Sequence, residues 1–389
     1  MTDYLISGAS IAGPALAWWL AQAGGADSKH HVTVVERASE VRDGGQAVDF
    51  RGRVHLEVLR RMGIADAVRD LATGGTRLSV VDGNGRTKVS LPESFTGGAV
   101  EIERGRLARL LYERTRGQVE YVFDDSIASL AQTADGVEAT LDSGRELTAD
   151  VVIGADGLHS NVRRLAFGPE EDYVRPSGYH VGLFDVPASY ADPGVDRIHN
   201  EPGRALSVGP TSRGAAAMCV FHDSALRVDH RDTAAHRRIL ARAFDGMGWI
   251  APEIMRGLDS APELYFDSIS LVESADYARG RIALLGDAGY GATCGGMGAG
   301  LGLVAACVLA EELGAGDDVA AALKRYESRI RPYAKGCQKI AAGAGPFLAP
   351  PTAARLWMRD RMYRLLASKV FAGMLERMSV KAAEGIELG

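Results

Sequence analysis

Residues 1–14 read MTDYLISGASIAGP, and the fold follows from how this stretch is parsed. Residues 4–7 form a short apolar run of the kind buried in a parallel sheet, residues 8–13 form a tight turn, and Pro14 sits where a first helical turn tolerates proline. The pattern Gly8-x-Ser10-x-x-Gly13 differs from G-x-G-x-x-G only in its central residue. Strand, turn and helix N-terminus in this order aim free backbone N–H groups at a pyrophosphate. Taken alone, the turn suits a nicotinamide dinucleotide as well as a flavin one.

The neighbouring sequence strengthens the dinucleotide reading. Residues 15–21 are a strongly apolar helix that ends near Gly24-Gly25, and residues 32–35 are a second strand closing at Glu36-Arg37. Glu36 follows Gly13 by 23 residues (36 − 13), close to the offset of about 20 expected of a ribose-binding acid. A carboxylate there accepts from both ribose hydroxyls and repels a 2′-phosphate.

The bulk composition narrows the function classes. With 389 residues, 46% hydrophobic and 24% charged, the chain has room for two cores of ordinary globular texture. A formal charge of −6 argues against a nucleic-acid surface, and the arginines of 351–369 (Arg355, Arg359, Arg361, Arg364) read as one solvated helix face. The four cysteines show no C-x-x-C spacing and no metal-ligand pairing with the nine histidines, so no metal is expected. The apolar start lacks a basic flank and is interrupted by Gly8, Ser10, Gly13 and Pro14, and no run reaches the roughly 18 apolar residues of a membrane helix. The expectation is a soluble, cytoplasmic monomer or weak homodimer without a membrane partner.

Further along, 42–52 (RDGGQAVDFRG) is a Gly-rich loop leading into a helix at 53–71. Residues 77–81 and 86–91 read as a hairpin around Asp82-Gly83-Asn84-Gly85. A helix at 104–115 and strands at 119–123, 126–133 and 136–141 follow, and residues 151–154 run straight into Ala155-Asp156-Gly157. Between 175 and 275 the texture changes to short alternating strands (179–185, 204–209, 214–221, 264–272) with one helix near 233–246, which predicts an antiparallel second layer. The buried-strand texture returns at 281–287, followed by a Gly-rich loop at 289–300, a long apolar helix to 313, and helices near 317–341 and 352–377. The first domain is therefore predicted to be discontinuous: 1–174 plus 276–345, with 175–275 as a second domain and 346–389 as a C-terminal helical segment.

Three separated motifs together carry a family resemblance: the Gly8–Gly13 turn with Glu36, the segment GADGLHSNVR at 154–163, and Gly286-Asp287-Ala288-Gly289. The chain resembles the single-component FAD-dependent monooxygenases of the p-hydroxybenzoate hydroxylase type, and its size is most like the compact tetracycline-inactivating and antibiotic-tailoring members. The resemblance implies an α/β fold with a discontinuous Rossmann-like FAD-binding domain. It implies that Gly8, Ser10, Ile11, Ala12 and Gly13 hold the FAD pyrophosphate and that Glu36, with Arg37 beside it, serves the adenosine ribose. Arg42 and Asp49 fall in the loop that helps hold flavin and receive NADPH or NADH, and Arg104 matches the arginine that contacts FAD. Asp156 belongs to the second motif, while Gly286 and Asp287 serve the ribityl chain. Gly296, Met297, Gly298 and Ala299 bring backbone N–H groups near the flavin ring. Taken one at a time, Asp156-Gly157 is a turn after a strand, Asp287 a helix cap, and Arg42 and Arg104 surface arginines. The shared order of the motifs is what outweighs these readings.

The implied activity is insertion of one atom of O2, through a flavin C4a-hydroperoxide, into an aromatic or polyketide-like small molecule, with NAD(P)H as reductant. No side chain need act as a nucleophile, because the cofactor carries the hard step. A base could assist, and His180 and His222 are the candidates. Arg51, Arg204 and Phe221 are candidates for the substrate pocket. Two departures from the family pattern stand out: Gly289-Tyr290-Gly291 replaces the usual prolines after the acid, and Gly300-Leu301 lacks the usual asparagine after the Gly loop. The changed loop sets Cys294 near the expected flavin ring. The rivals are a flavin-dependent dehydrogenase or reductase without oxygen insertion, a halogenase (whose W-x-W-x-I-P signature residues 248–252 do not reproduce), and a non-enzymatic flavin sensor.

Overall fold

The computed structural model describes residues 2–23, 30–42, 44–45, 47–91, 100–230, 232–295, 297–316, 318–367 and 384–389. Its first sheet is six-stranded and mostly parallel. From the edge inward it runs Ala278–Arg279, Ile282–Leu284, Val151–Gly154, Thr2–Ser7, His30–Val35 and Glu120–Val122. Thr2–Ser7 lies between His30–Val35 and Val151–Gly154, both parallel to it, so the sequence-distant strands that precede the first two motifs are neighbours. Leu5, Ile6, Val34, Val152 and Ile153 are all buried, as expected where helices cover both faces of a parallel sheet.

Helix Ala12–Ala23 packs against the seventeen-residue helix Gly298–Gly314 through small side chains. A Cβ on Gly286 or Gly302 would come within 3.3 or 3.4 Å of the Ala12 methyl, so glycine at both positions lets the two helix starts converge. The long apolar character of Gly298–Gly314 follows from its place: residues 300–310 are buried without interruption, with no solvent face to be polar.

The second sheet is seven-stranded: Tyr265–Val272, Val174–Val186, Gly214–His222, Arg204–Thr211, Val195–Glu201, Arg77–Val81 and Thr87–Leu91. The strands of 175–275 pair antiparallel throughout, as expected. One expectation needs correction: the hairpin 77–91 lies in this sheet and not with the first domain, because Arg77–Val81 pairs in parallel with Val195–Glu201. Strand Val195–Glu201 itself escaped the sequence reading, since its charged and polar residues (Asp196, Arg197, His199, Asn200, Glu201) hide the alternation.

The predicted helix 53–71 is two helices, Gly52–Arg61 and Ala65–Asp70, broken at Gly63, whose φ of +64° ends the first. The helix near 233–246 ends at Ala243, and helix Ala251–Gly257 was not foreseen. The last helices are Val319–Ala341, Ala344–Leu348 and Ala353–Leu366; the remainder of the predicted 352–377 helix lies outside the described residues.

Each face of the second sheet has its own cover. Phe184, Leu206, Val208, Cys219, Phe221 and Phe266 form one cluster under helices Thr233–Ala243 and Ala251–Gly257. Val181, Ile198, Ala205, Val220 and Ile269 form the other, with Cys294 from the Gly-rich loop and with Leu348 and Tyr363 from the C-terminal helices. The second face is therefore the one turned toward the cofactor-domain loops.

Candidate active site

The Gly8–Gly13 turn is shaped by backbone crowding. Gly8 has φ +109°, and a Cβ there would lie 2.5 Å from the Ala155 carbonyl oxygen. A Cβ on Gly13 would lie 2.0 Å from the Gly8 carbonyl oxygen. The first and second motifs thus touch through backbone, which only glycine at position 8 permits. Ser10 and Ile11 donate no backbone hydrogen bond among the described residues, and they precede a helix whose first turn carries no acid. Free amides at a helix start fit a pyrophosphate.

Glu36 has its Oε2 on the Ala9 N–H (2.8 Å) and its Oε1 on the Ala38 N–H (2.9 Å). The carboxylate therefore braces the Gly turn, a contact the sequence reading did not include, and each oxygen keeps a second lone pair for the ribose hydroxyls it is expected to meet. Arg37 is exposed beside it.

Arg104 begins helix Arg104–Thr115, and its Nη2 donates to Ser10 Oγ at 3.3 Å. Asp287 feels the same guanidinium: burial pushes its carboxyl up, and Arg104 opposes that rise. Among the described residues the Asp287 carboxyl accepts no hydrogen bond, and it faces the first turn of Gly298–Gly314, where a Cβ on Gly298 would lie 3.5 Å from Oδ1. That helix starts at Met297 without a capping side chain. An unpartnered acid, an arginine and an uncapped helix start fit the hydroxyls and the electron-rich ring edge of a flavin cofactor. Met297 is buried in the core, so only its backbone can serve; Ala299 is partly buried; Gly296 lies outside the described residues.

Asp156 is fully engaged inside the protein. It accepts from Ser160 Oγ, from the Val162 N–H (3.0 Å) and from Ser7 Oγ (3.4 Å), tying the strand end to helix Asn161–Ala166. Burial raises its carboxyl pKa and the Ser160 hydroxyl opposes this. Arg163, three residues after Ser160, was overlooked as a site residue. Its side chain is wholly buried and donates to the Ala288 carbonyl (2.8 Å) and the Leu158 carbonyl (2.6 Å), joining the second and third motifs. Its position in GADGLHSNVR was the available signal.

Asp49 and Arg51 find each other: Arg51 Nε donates to Asp49 Oδ2 at 2.8 Å, and its Nη2 donates to the same oxygen. Burial pushes the Asp49 carboxyl up against the pull of Arg51. The Arg51 N–H donates to His55 Nδ1 (3.1 Å), so Nε2 carries the proton toward Tyr333 Oη (2.8 Å). The His55 ring occupies the space over Gly300, and burial followed by the Arg51 charge lowers its pKa to about 4, keeping it neutral. Arg42 is exposed next to this loop.

Three candidates fall elsewhere. His180 and Phe221 point to the helix-covered face, where His180 stacks on Phe221 (5.3 Å between ring centroids) and donates to the Asp223 carbonyl; strand alternation turns both away from Cys294. Arg204 pairs with Glu201 and donates to the Ala243 and Asp245 carbonyls, closing the end of helix Thr233–Ala243. His222 is on the loop-facing side but exposed at the sheet's end, 4.7 Å from the Tyr179 ring. Burial pushes the Cys294 thiol up to about 12, which keeps it protonated at neutral pH.

This arrangement, a dinucleotide turn, buried contacts among three motifs and an acid–arginine pair beside an uncapped helix start, fits a flavin dinucleotide. Comparison with known proteins gives the narrower assignment. The family model described as "FAD binding domain" matches residues 1–341, and the chain belongs to that family. An uncharacterized protein of Mycobacterium tuberculosis (strain ATCC 25618 / H37Rv) is 39% identical over 360 residues, covering 90% of this chain and 95% of that protein. A flavin-dependent monooxygenase of an unknown prokaryotic organism is 34% identical over 342 residues, covering 86% and 87%. The crystal structure of tetracycline destructase Tet(55) superposes with a TM-score of 0.85 at 32% identity, covering 100% of this chain and 98% of that one. The protein is an FAD-dependent monooxygenase acting on a small molecule.

Arg104 provides a direct check. Replacing it with alanine removes the donor to Ser10 and the charge beside Asp287. FAD affinity, read by flavin fluorescence titration, is expected to fall about 10- to 100-fold, the cost of roughly 1.5–3 kcal/mol for a hydrogen bond from a charged group.

Proposed function

We propose that this chain oxygenates an aromatic polyketide-like molecule, with tetracyclines the first class to test, using NADPH or NADH as electron donor. The likeness to tetracycline destructase Tet(55) over the full chain is the observation that carries this reading. FAD, when bound, supplies the redox and oxygen chemistry. The chain's own residues do the rest. Ser10, Arg104 and Glu36 hold the cofactor's phosphate and ribose, Asp287 orients its polyol, and the uncapped Met297–Gly298 helix start stabilises negative charge on the ring. The buried cluster of Val181, Ala205, Val220 and Ile269 backs the Cys294 side of the second sheet, the side that receives the substrate and excludes water. His180 and Arg204 take no part, being committed elsewhere. The absence of a second Gly fingerprint in the sequence suits a donor that visits a shared surface. Cytoplasmic location and a monomeric or weakly dimeric state belong to the same reading.

The test is NADPH consumption by the FAD-loaded protein with a panel of tetracyclines and simple aromatic polyketides under 18O2. The expected result is stimulated oxidation with one 18O atom in the product. Stimulated oxidation with unlabelled product would establish a reductase instead, and no stimulation by any member would remove the substrate class.

A further inference from the structure

His159 lies in the loop after strand Val151–Gly154, outside the groups assigned above to cofactor or substrate. Its Nδ1 is 3.0 Å from both oxygens of Glu170, and its Nε2 is 3.1 and 3.2 Å from the two oxygens of Asp267. A carboxylate can only accept, so both ring nitrogens donate and the ring is an imidazolium. The three residues come from three places: the second motif of the cofactor domain, the short turn Glu170–Asp172, and strand Tyr265–Val272 at the edge of the substrate sheet. The ring of His230 lies flat on His159, with centroids 4.3 Å apart and planes 9° from parallel. Arg163 Nη2 stands 3.7 Å from Glu170, so the acid is shared between two cations.

The edge strand held in this way enters the reaction region. Tyr265, its first residue, keeps 44% of its surface exposed, and the charges of Asp287 and Arg104 both act on its phenol, so it stands beside the cofactor-loop groups. Two residues further on, Asp267 is the only side chain of this strand that the structure joins to the second motif among the described residues.

We propose that His159 is a positioning residue: as a cation between Glu170 and Asp267 it pins the edge strand of the substrate layer over the cofactor loops. Removing its charge releases that edge. The two carboxylates hold the His159 pKa up at about 9 despite partial burial, which opposes the rise. The sign follows: the folded value lies above the ordinary 6.5, so with both carboxylates ionised the clamp is complete at neutral pH and is lost as pH rises through about 9. The groups facing the ring are Glu170, Asp267 and His230, with Arg163 behind Glu170.

The experiment is hydrogen–deuterium exchange of the 265–272 peptide in FAD-loaded protein at pH 7 and pH 10, corrected for intrinsic rates. Wild type is expected to be protected at pH 7 and to lose about tenfold protection at pH 10, in line with a charge-assisted hydrogen bond. His159→Gln should show the lower protection at both pH values, and His159→Arg should stay protected at both. Asp267→Asn breaks the clamp from the other side and should reproduce His159→Gln, which covers a folding failure of the first variant. With tetracycline as the probe substrate, His159→Gln should raise KM about tenfold with kcat within about twofold of wild type, and the wild-type KM should climb through pH 9 while that of His159→Arg stays flat. Equal protection of wild type and both charge-removing variants at pH 7 would overturn the proposal, as would wild-type protection unchanged at pH 10. The catalytic consequence rests on the oxygenase reading. If wild type does not turn over tetracycline, that substrate assignment fails, and the exchange result still decides the clamp.

Discussion

Gly13→Ala is expected to yield a protein that no longer retains FAD. The new methyl would stand 2.0 Å from the Gly8 carbonyl oxygen and 3.3 Å from the Ile6 side chain. Neither neighbour can yield: the first is backbone held by the close approach of Ala155, and the second is wholly buried in the main core. The turn must therefore open, which withdraws the Ser10 and Ile11 amides from their common direction and separates Ser10 from Arg104. Dissociation of FAD should strengthen from tight retention to a Kd raised at least about 100-fold, equivalent to about 2.7 kcal/mol, with overpacking strain of roughly 1–3 kcal/mol visible in thermal unfolding. Gly336→Ala is the control: its Cβ meets nothing within 4 Å inside helix Val319–Ala341, so it should leave FAD bound and gain up to about 1 kcal/mol of helix propensity. Wild-type FAD affinity in Gly13→Ala would show that the turn relaxes without cost.

The second large effect is expected at Arg163. Methionine keeps most of the buried volume but supplies no donor, so the Leu158 and Ala288 carbonyls lose a charged partner and Glu170 loses its second cation. About 3 kcal/mol of stability should disappear, a fall in unfolding midpoint of roughly 3–5 °C in calorimetry for a chain of this length. Because Ala288 follows Asp287 directly, the acid should also shift relative to Arg104, and FAD affinity should fall with stability. Arg163→Lys is expected to recover only part of either quantity, since one ammonium cannot hold the fork geometry of two carbonyls. A midpoint unchanged in Arg163→Met would mean that other contacts join the second and third motifs.

Much of this architecture was legible in the chain because its signals are local. The parallel strands announce themselves as apolar runs, and Gly8, Gly13 and Gly286 mark places where a side chain has no room. The misreadings have two causes. Strand alternation decides which face a residue joins, but not which face meets the cofactor. His180 and Phe221 were sound candidates by type, and the cover of helices Thr233–Ala243 and Ala251–Gly257 turned them away from the site. Val195–Glu201 was missed because its residues satisfy partners from distant segments: Asn200 donates to the Leu348 carbonyl, and Arg359 Nη2 donates back to Asn200. Such polar residues carry no apolar pattern to read.

The sequence alone therefore determined a dinucleotide turn and the order of the binding motifs, because backbone sterics at glycines and the periodicity of buried strands are written residue by residue; that the dinucleotide is FAD came from the family those motifs resemble. Tertiary structure decided which groups act together. The pairing of Asp49 with Arg51, the bridging of two motifs by Arg163, and the capture of His159 between Glu170 and Asp267 depend on distances set by sheet pairing. Asp267 is 108 residues from His159, and no local rule joins them. The opening turn states what is bound; the packing of the two layers around it decides where the bound group is met.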